Sequence, residues 1–292
     1  MTLRHMKIFT MVCETGNMTE AATKLSISQP AVSQAIKELE EYYRVVLFER
    51  MSKQLFITEA GIELKSYALH IVSLFDEAEK KLHDTESKKN IRIGANVTVG
   101  TTLIQGYIKK YNEQYPYVNV KVIVNNSVMI ERMLNNNELD FALMEETTRK
   151  TYFNTESFYD DKIAVITYVE NRLNQMEEVT FEDVVKEKLL LREKGAGVRD
   201  TFEHLAYLRG ITIEPLWESC STTALVNAVK EKMGVAIVPY QVVKEDIDKK
   251  EVFEINVSDV SLARRLTIVT HKKKYISKEV ENFINIVRQF YD

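Results

Sequence analysis

Six apolar residues, Leu64, Ala68, Ile71, Phe75, Ala78 and Leu82, recur at intervals of 4, 3, 4, 3 and 4 residues. That is the period of a coiled coil, and a lone amphipathic helix drifts away from it. The stripe predicts one long helix, capped by Thr58 and running to about Asn90, where it dissolves into the polar "HDTESKKN". Such a helix pairs with a second copy of itself; the alternative is a helix packed on its own domain. The segments on either side follow other patterns. The chain therefore reads as three parts: residues 1–58, a linker helix and hinge at 59–90, and residues 91–292.

Residues 1–58 read as short helices followed by a hairpin. Leu3, Met6, Phe9 and Val12 share one helical face, and Gly16-Asn17 ends that helix. Thr19 is the expected N-cap of the second helix, with Glu20 in its first turn and Ala21, Ala22 and Leu25 facing inward. Ser28 caps a third helix, where Pro30 is tolerated because first-turn amides lack intrahelical partners. "LFERMSKQLFIT" reads as two strands around a polar turn. The third helix carries small polar side chains outward while Val32, Ile36 and Leu39 turn in. This is a helix-turn-helix with a wing, and its second helix suits the major groove, where Gln, Ser and Lys can read donors and acceptors. An ordinary three-helix piece with a solvated polar face is the bland alternative. Charge alone favours the latter. Residues 1–60 hold Arg4, Lys7, Lys24, Lys37, Arg44, Arg50 and Lys53 against Glu14, Glu20, Glu38, Glu40, Glu41, Glu49 and Glu59. A phosphate-binding face then requires the acids to lie off it.

From Ile91 onward strands alternate with helices. "IRIGA" and "NVKVIV" flank a helix over Thr101–Gln114; "DFALM", "KIAVITYV", "KLLLRE", "VAIVP" and "LTIVT" are further strands. "VRDTFEHLAYLRG" and "TALVNAVKEKMG" are helices ended by Gly210 and Gly234, and a last helix spans Lys278–Tyr291. The rhythm argues for parallel sheets in two lobes, lobe I at about 91–162 and 267–292 and lobe II at about 163–266. The fold class is α+β. Four polar helix starts, at Asn96 and Thr98, at Ser127, at Arg199, and at Ser221 and Thr222, suggest a small anionic ligand in a cleft between the lobes. Each alone also reads as plain helix capping.

Several functions are disfavoured. Net charge is −4, which gives no whole-chain footprint for nucleic acid or membrane. Cys13 and Cys220 stand too far apart in sequence for a disulfide framework or zinc site. No metal and no cofactor are expected. There is no H-E-x-x-H, G-x-S-x-G or P-loop, so no catalytic residue is nominated and an enzyme is the lesser alternative. "GAGVRD" departs from the dinucleotide fingerprint at Asp200. The first residues lack a signal-peptide core and no run approaches a membrane span, so a cytoplasmic protein is expected. A solute-binding protein would need export and would leave residues 1–60 unexplained.

The joint spacing of "AA..L..SQPA.S..I..LE", "LFER" and "T.AG" resembles the winged helix-turn-helix of the LysR-type bacterial transcriptional regulators. The likeness runs along the whole chain: DNA-binding domain, dimerising linker helix, and a two-lobed effector domain like periplasmic binding proteins. It implies that Gln29, Pro30 and Ser33 approach base edges of double-stranded DNA, that Ser28, Gln34 and Lys37 are groove or backbone neighbours, and that Arg50 and Lys53 belong to the wing. It implies an inducer cleft flanked by "IGANVTVG", "LMEE", "REKGAGVRDTFE" and "STTALVNAVKEKMGVAIVP", with Glu145 at its edge. A carboxylate there would favour a cationic group or serve as a hinge contact. A homodimer through the linker helix, a homotetramer, contact with RNA polymerase, and activation rather than repression are further implications. The family usually has glycine where Arg44 stands, often arginine where Lys53 stands, and serine or threonine at Asn96 and Val97.

Overall fold

The computed structural model describes residues 1–51, 54–83, 89–145 and 151–290, and within these the side chains of Arg50, Met51, Gln54, Glu77, Lys80, Lys81 and His83 are not described. The chain divides into two compact units: Met1–Lys88 with Asn135–Glu138 and Lys272–Ser277, and the remainder.

The first unit opens with α1 (Leu3–Thr15), α2 (Met18–Leu25) and α3 (Gln29–Tyr43). Gly16 ends α1 in the left-handed region at φ +63°. Asn17, not Thr19, caps α2: its side chain accepts from the amides of Thr19 and Glu20. Both Asn and Thr satisfy the chemistry of a cap, and sequence alone does not say which residue leaves the helix. Phe9, Val12, Ala21, Ala22, Val32, Ile36 and Leu39 are buried together. Strands β1 (Phe48–Met51) and β2 (Gln54–Ile57) pair antiparallel, with Phe48 opposite Ile57. The long helix α4 spans Glu59–His83.

A small lock joins hairpin to helix. Thr58 Oγ1 donates to the Val46 carbonyl at 2.7 Å and accepts from the Gly61 amide at 3.0 Å. A Cβ at Gly61 would stand 2.4 Å from the Leu47 carbonyl oxygen, so the close approach needs glycine. This is the physical content of the Thr-x-Ala-Gly spacing.

The periodic stripe of α4 splits. Ala68 is fully buried and Leu64 and Val72 pack with it on the core of the first unit. Ile71, Phe75 and Leu82 remain 46, 43 and 82% exposed, beside exposed Tyr67, Leu74 and Ala78. Leu64 and Ala68 thus follow the own-domain alternative. Period reveals that a stripe exists; it does not say which neighbour covers it.

The second unit carries β3 (Lys89–Ala95), α5 (Val97–Thr102), α6 (Ile104–Gln114), β4 (Val118–Val124), α7 (Ser127–Asn135), β5 (Phe141–Glu145) and β6 (Phe153–Thr167). After a 3-10 turn at Arg172–Gln175 come α8 (Phe181–Val185), β7 (Leu189–Arg192), α9 (Gly197–Tyr207), β8 (Trp217–Ser219), α10 (Thr222–Lys230), β9 (Val235–Pro239), α11 (Tyr240–Asp248), β10 (Phe253–Ile255), β11 (Ala263–His271) and α12 (Lys278–Arg288). Strand order is β4-β3-β5-β11-β6-β9-β7-β8, with β10 also on β6.

The expectation of parallel sheets holds for β4-β3-β5 and for β9-β7-β8. It fails for β6 and β11, which pair antiparallel with each other and with their outer neighbours. These two strands run side by side through both lobes, Ala263 opposite Lys162 and His271 opposite Phe153. They are the two crossings that make the lobes. The expected helix at Thr101–Gln114 breaks at Leu103, where α5 ends and α6 begins. Thr101 and Thr102 return their hydroxyls to carbonyls four residues back, the local bonding that disfavours helix continuation. Helix α10 ends at Lys230, before Gly234, because Lys232 takes the left-handed conformation at φ +61°. Lobe I is held by Tyr107, Tyr111, Phe141 and Phe283, with the Tyr111 and Phe283 ring centroids 5.0 Å apart.

Candidate nucleic-acid interface and ligand cleft

Helix α3 begins where Ser28 Oγ accepts from the Ala31 amide at 3.3 Å, with proline in the first turn. Its core positions Val32, Ala35, Ile36 and Leu39 are buried, which leaves Gln29, Pro30, Gln34 and Lys37 exposed and Ser33 half-buried on the outer face. The first turn holds no acid. The later acids have partners, and one of them, Glu41, lies 3.6 Å from Lys37 Nζ on the outer face itself. Glu40 accepts from the amides of Leu47 at 2.7 Å and Phe48 at 3.3 Å, anchoring the hairpin. Glu38 accepts from His5 Nε2 at 2.7 Å and Gln34 Nε2 at 2.9 Å, bonds that hold its carboxyl below the usual range. The zero charge balance of residues 1–60 is thus distributed unevenly. The N-terminal turn of α3 is free of carboxylate; Glu40 serves the scaffold behind it, while Glu38 and Glu41 lie with Gln34 and Lys37 on the later turns. Lys53 and the Arg50 side chain lie outside the described residues.

In the second unit a small cleft is lined by Asn96, Thr98, Ser127, Glu145, Arg192 and Arg264, together with Asn126, Pro239 and the Ala196–Val198 turn. Asn96 caps α5: its Oδ1 accepts from the Val99 amide at 2.9 Å and its Nδ2 donates to Glu145 Oε2. Ser127 Oγ donates to Glu145 Oε1 at 2.6 Å. The same oxygen lies against the start of α9, where a Cβ on Gly197 would stand 1.7 Å away. Glu145 therefore reaches from lobe I to a lobe II helix start, and only glycine at 197 leaves room for it.

Arg264 Nε and Nη2 donate to Asp161 Oδ2 at 2.8 and 2.6 Å, and Nη2 also donates to Thr98 Oγ1 at 2.9 Å. Arg192 is fully committed, to both oxygens of Glu193 and to Thr222 Oγ1 at 3.1 Å.

Four expected effector residues, Asn96, Thr98, Ser127 and Glu145, are thus brought to one cleft. Three are not among its lining. Arg199 turns inward, its guanidinium held by Glu203, Glu218 and the Arg192 carbonyl. Ser221 is an exposed cap that accepts from the Ala224 amide, and Thr222 stands behind Arg192 as its acceptor. Sequence reasoning placed Arg192 within the segment "REKGAGVRD" without singling it out, and missed Arg264 and Asp161. An arginine at the end of an apolar strand reads as a solvated strand end, and only the pairing of Arg264 opposite Asp161 across β11 and β6 reveals the buried partner. No group of residues suited to hold a metal occurs among the described residues, and no described helix is long and apolar enough to cross a membrane.

Comparison with known proteins places these features. Residues 3–62 match the model of the bacterial regulatory helix-turn-helix protein, lysR family, and residues 84–292 match the LysR substrate binding domain. The chain is 31% identical over 294 residues to the uncharacterized HTH-type transcriptional regulator YwqM of Bacillus subtilis, covering 99% of both chains. Its fold is similar to a full-length OxyR variant from Pseudomonas aeruginosa, with TM-score 0.68 at 19% identity over 99% of this chain and 95% of the other. It is also similar to the regulatory domain of CcmR from Synechocystis in complex with 2-PG, with TM-score 0.64 at 20% identity over 69% of this chain and 97% of that domain. The chain belongs to the LysR family, transcription regulators that join a helix-turn-helix DNA-binding domain to an effector-binding domain.

Proposed function

We propose that the N-terminal turn of α3 reads operator DNA in the major groove and that the cleft lined by Asn96, Thr98, Ser127, Glu145 and Arg264 senses a small metabolite. The observation that carries this reading is the acid-free, exposed first turn of α3. Ser28 is the cap that presents the turn. Gln29, Pro30 and Ser33 approach base edges, and Gln34 and Lys37 lie towards the backbone. Arg50 and Lys53 serve the wing. The exposed seam of α4, with Ile71, Phe75, Ala78 and Leu82, pairs two chains in the cytoplasm. Two such dimers form a tetramer whose readers meet half-sites about one helical turn apart, ~34 Å, or multiples of it. The effector re-spaces the readers through a coupling of ~1–3 kcal/mol. Activation through RNA polymerase is the outcome that the family resemblance favours. The 2-PG held by the CcmR regulatory domain supports a small-molecule effector with an anionic group, and Arg264 is the cleft residue suited to receive it.

The test is sequencing of genomic fragments retained by the purified full-length protein at moderate salt. A few sharp peaks with a two-fold motif are expected. Replacing Ser33 by Ala should weaken the selected site about tenfold and random DNA far less, in line with ~1–3 kcal/mol for a base contact. Equal loss on both removes Ser33 as a base reader. Thr98→Ala should blunt the ligand response and leave operator affinity intact; an unchanged dose-response removes Thr98 from the sensing cleft.

A further inference from the structure

Resting on the cleft as the effector site, we infer that its ligand is a small zwitterion, with a protonated nitrogen set on Glu145 and a carboxylate set on Arg264.

The charges of the cleft do not cancel. Arg192 is paired with Glu193, and Arg264 with Asp161. Glu145 has no cationic partner among the described residues: its hydrogen bonds come from the neutral donors Asn96 Nδ2 and Ser127 Oγ. One negative charge is left over, half-buried, and held in place by two donors and by the turn at Gly197. A carboxylate taken partly out of water and denied a counter-charge gains most from a cation.

Arg264 supplies the other half. Its side chain is 7% exposed. Nε and Nη2 are engaged by Asp161 and Thr98, while Nη1 has no hydrogen-bond partner among the described residues. An unfilled guanidinium donor on a residue that lines the cleft can take a further acceptor.

Register fixes the relation between the two. Glu145 on β5 lies opposite Leu266 on β11, and Arg264 is two residues along the same strand. Residues two apart on a strand share a face. Diagonal positions across an antiparallel pair lie about 7–8 Å apart, within reach of long side chains. The sheet therefore presents one uncompensated carboxylate and one unfilled guanidinium donor on the same face of the cleft. A dianion would set like charge against Glu145. A simple amine would leave Arg264 Nη1 empty. A compact molecule bearing both an ammonium and a carboxylate fills both.

The first measurement is mass spectrometry of the small molecules that the full-length protein retains from a cell extract. Alongside it, saturation-transfer NMR compares L-alanine, ethylammonium and propionate, which carry both groups, the cation alone and the anion alone. The expected retained molecule holds a basic nitrogen and a carboxylate, and binds at least about tenfold more weakly to Glu145→Gln. Unchanged operator affinity in that isosteric variant shows that it is folded. L-alanine should give a stronger signal than either fragment, and the variant should lose the L-alanine and ethylammonium signals while keeping that of propionate. Retention of an anion without basic nitrogen, bound as well or better by Glu145→Gln but lost in Ser127→Ala, overturns the zwitterion and keeps the cleft. Retention of nothing, or of a molecule indifferent to both substitutions, overturns both.

Discussion

At Arg264 and Asp161 two opposite charges are withdrawn from water together. Their side chains are 7 and 0% exposed, and Asp161 Oδ1 is buried with no hydrogen-bond partner among the described residues. Such a pair contributes little by existing and costs much when halved. Asp161→Ala should lower the stability of the effector domain by about 3–5 kcal/mol, seen as a lower urea midpoint. The double replacement Asp161→Leu with Arg264→Met should recover most of that loss. A single variant as stable as the parent would show the pair to be hydrated. These two residues also mark where sequence stops informing. Asn96, Thr98 and Ser127 were legible because polar residues follow apolar strands, at the ends that α/β folds turn towards a cleft, whereas Glu145 came from the family resemblance alone. Arg264 was not legible, since "SLARRLTIVT" reads as a charged approach to a strand. Its partner lies 103 residues away. Arg199 misled for the converse reason. A cation at a helix start looks like an anion receptor until Glu203 and Glu218 are found to consume it.

Elements were more readable than sites, and their ends less so than their existence. The third helix is announced by Ser28 and Pro30, and it starts there. Its other end is where Arg44 adopts φ +57°, the left-handed region that glycine enters freely. The family's habit of glycine at this position thus has a local cause, and arginine is strained there. Arg44→Gly should stabilise the first unit by about 0.5–1 kcal/mol, measured as a higher melting temperature of that unit. No gain would mean that guanidinium contacts offset the strain. The long strand β6 was only half legible. Residues 162–169 carry the apolar run "KIAVITYV", whereas its first half, Phe153–Asp161, is buried only at its two ends and exposed or half-buried between them. A strand that passes from one lobe to the other changes neighbours midway, so neither alternation nor a continuous apolar run describes it. The break at Leu103 escaped notice for a related reason: α5 and α6 are both helices, and periodicity carries across a single misaligned residue.

For the whole molecule the proposal to test is that two chains pair through the exposed side of α4. Ala68 belongs to the first unit's own core, so the surface left for a second chain is Tyr67, Ile71, Leu74, Phe75 and Leu82. Ile71→Asp should give monomers by sedimentation velocity and weaken operator binding by about 100-fold or more, the avidity that two tethered readers gain over one. Persistence of the dimer would move the seam elsewhere. The order in which the chain is made gives another consequence. Lobe I needs both β3–β5 and the late pieces β11 and α12, and Phe283 of α12 sits against Phe141 with ring centroids 5.6 Å apart. A growing chain on the ribosome therefore completes the helix-turn-helix first, then the contiguous residues of lobe II, and closes lobe I last. Until the final strand and helix emerge, the nascent protein holds a finished reader and an unfinished sensor, and a nonsense mutation late in the gene would leave the cell with that same half-built state for good.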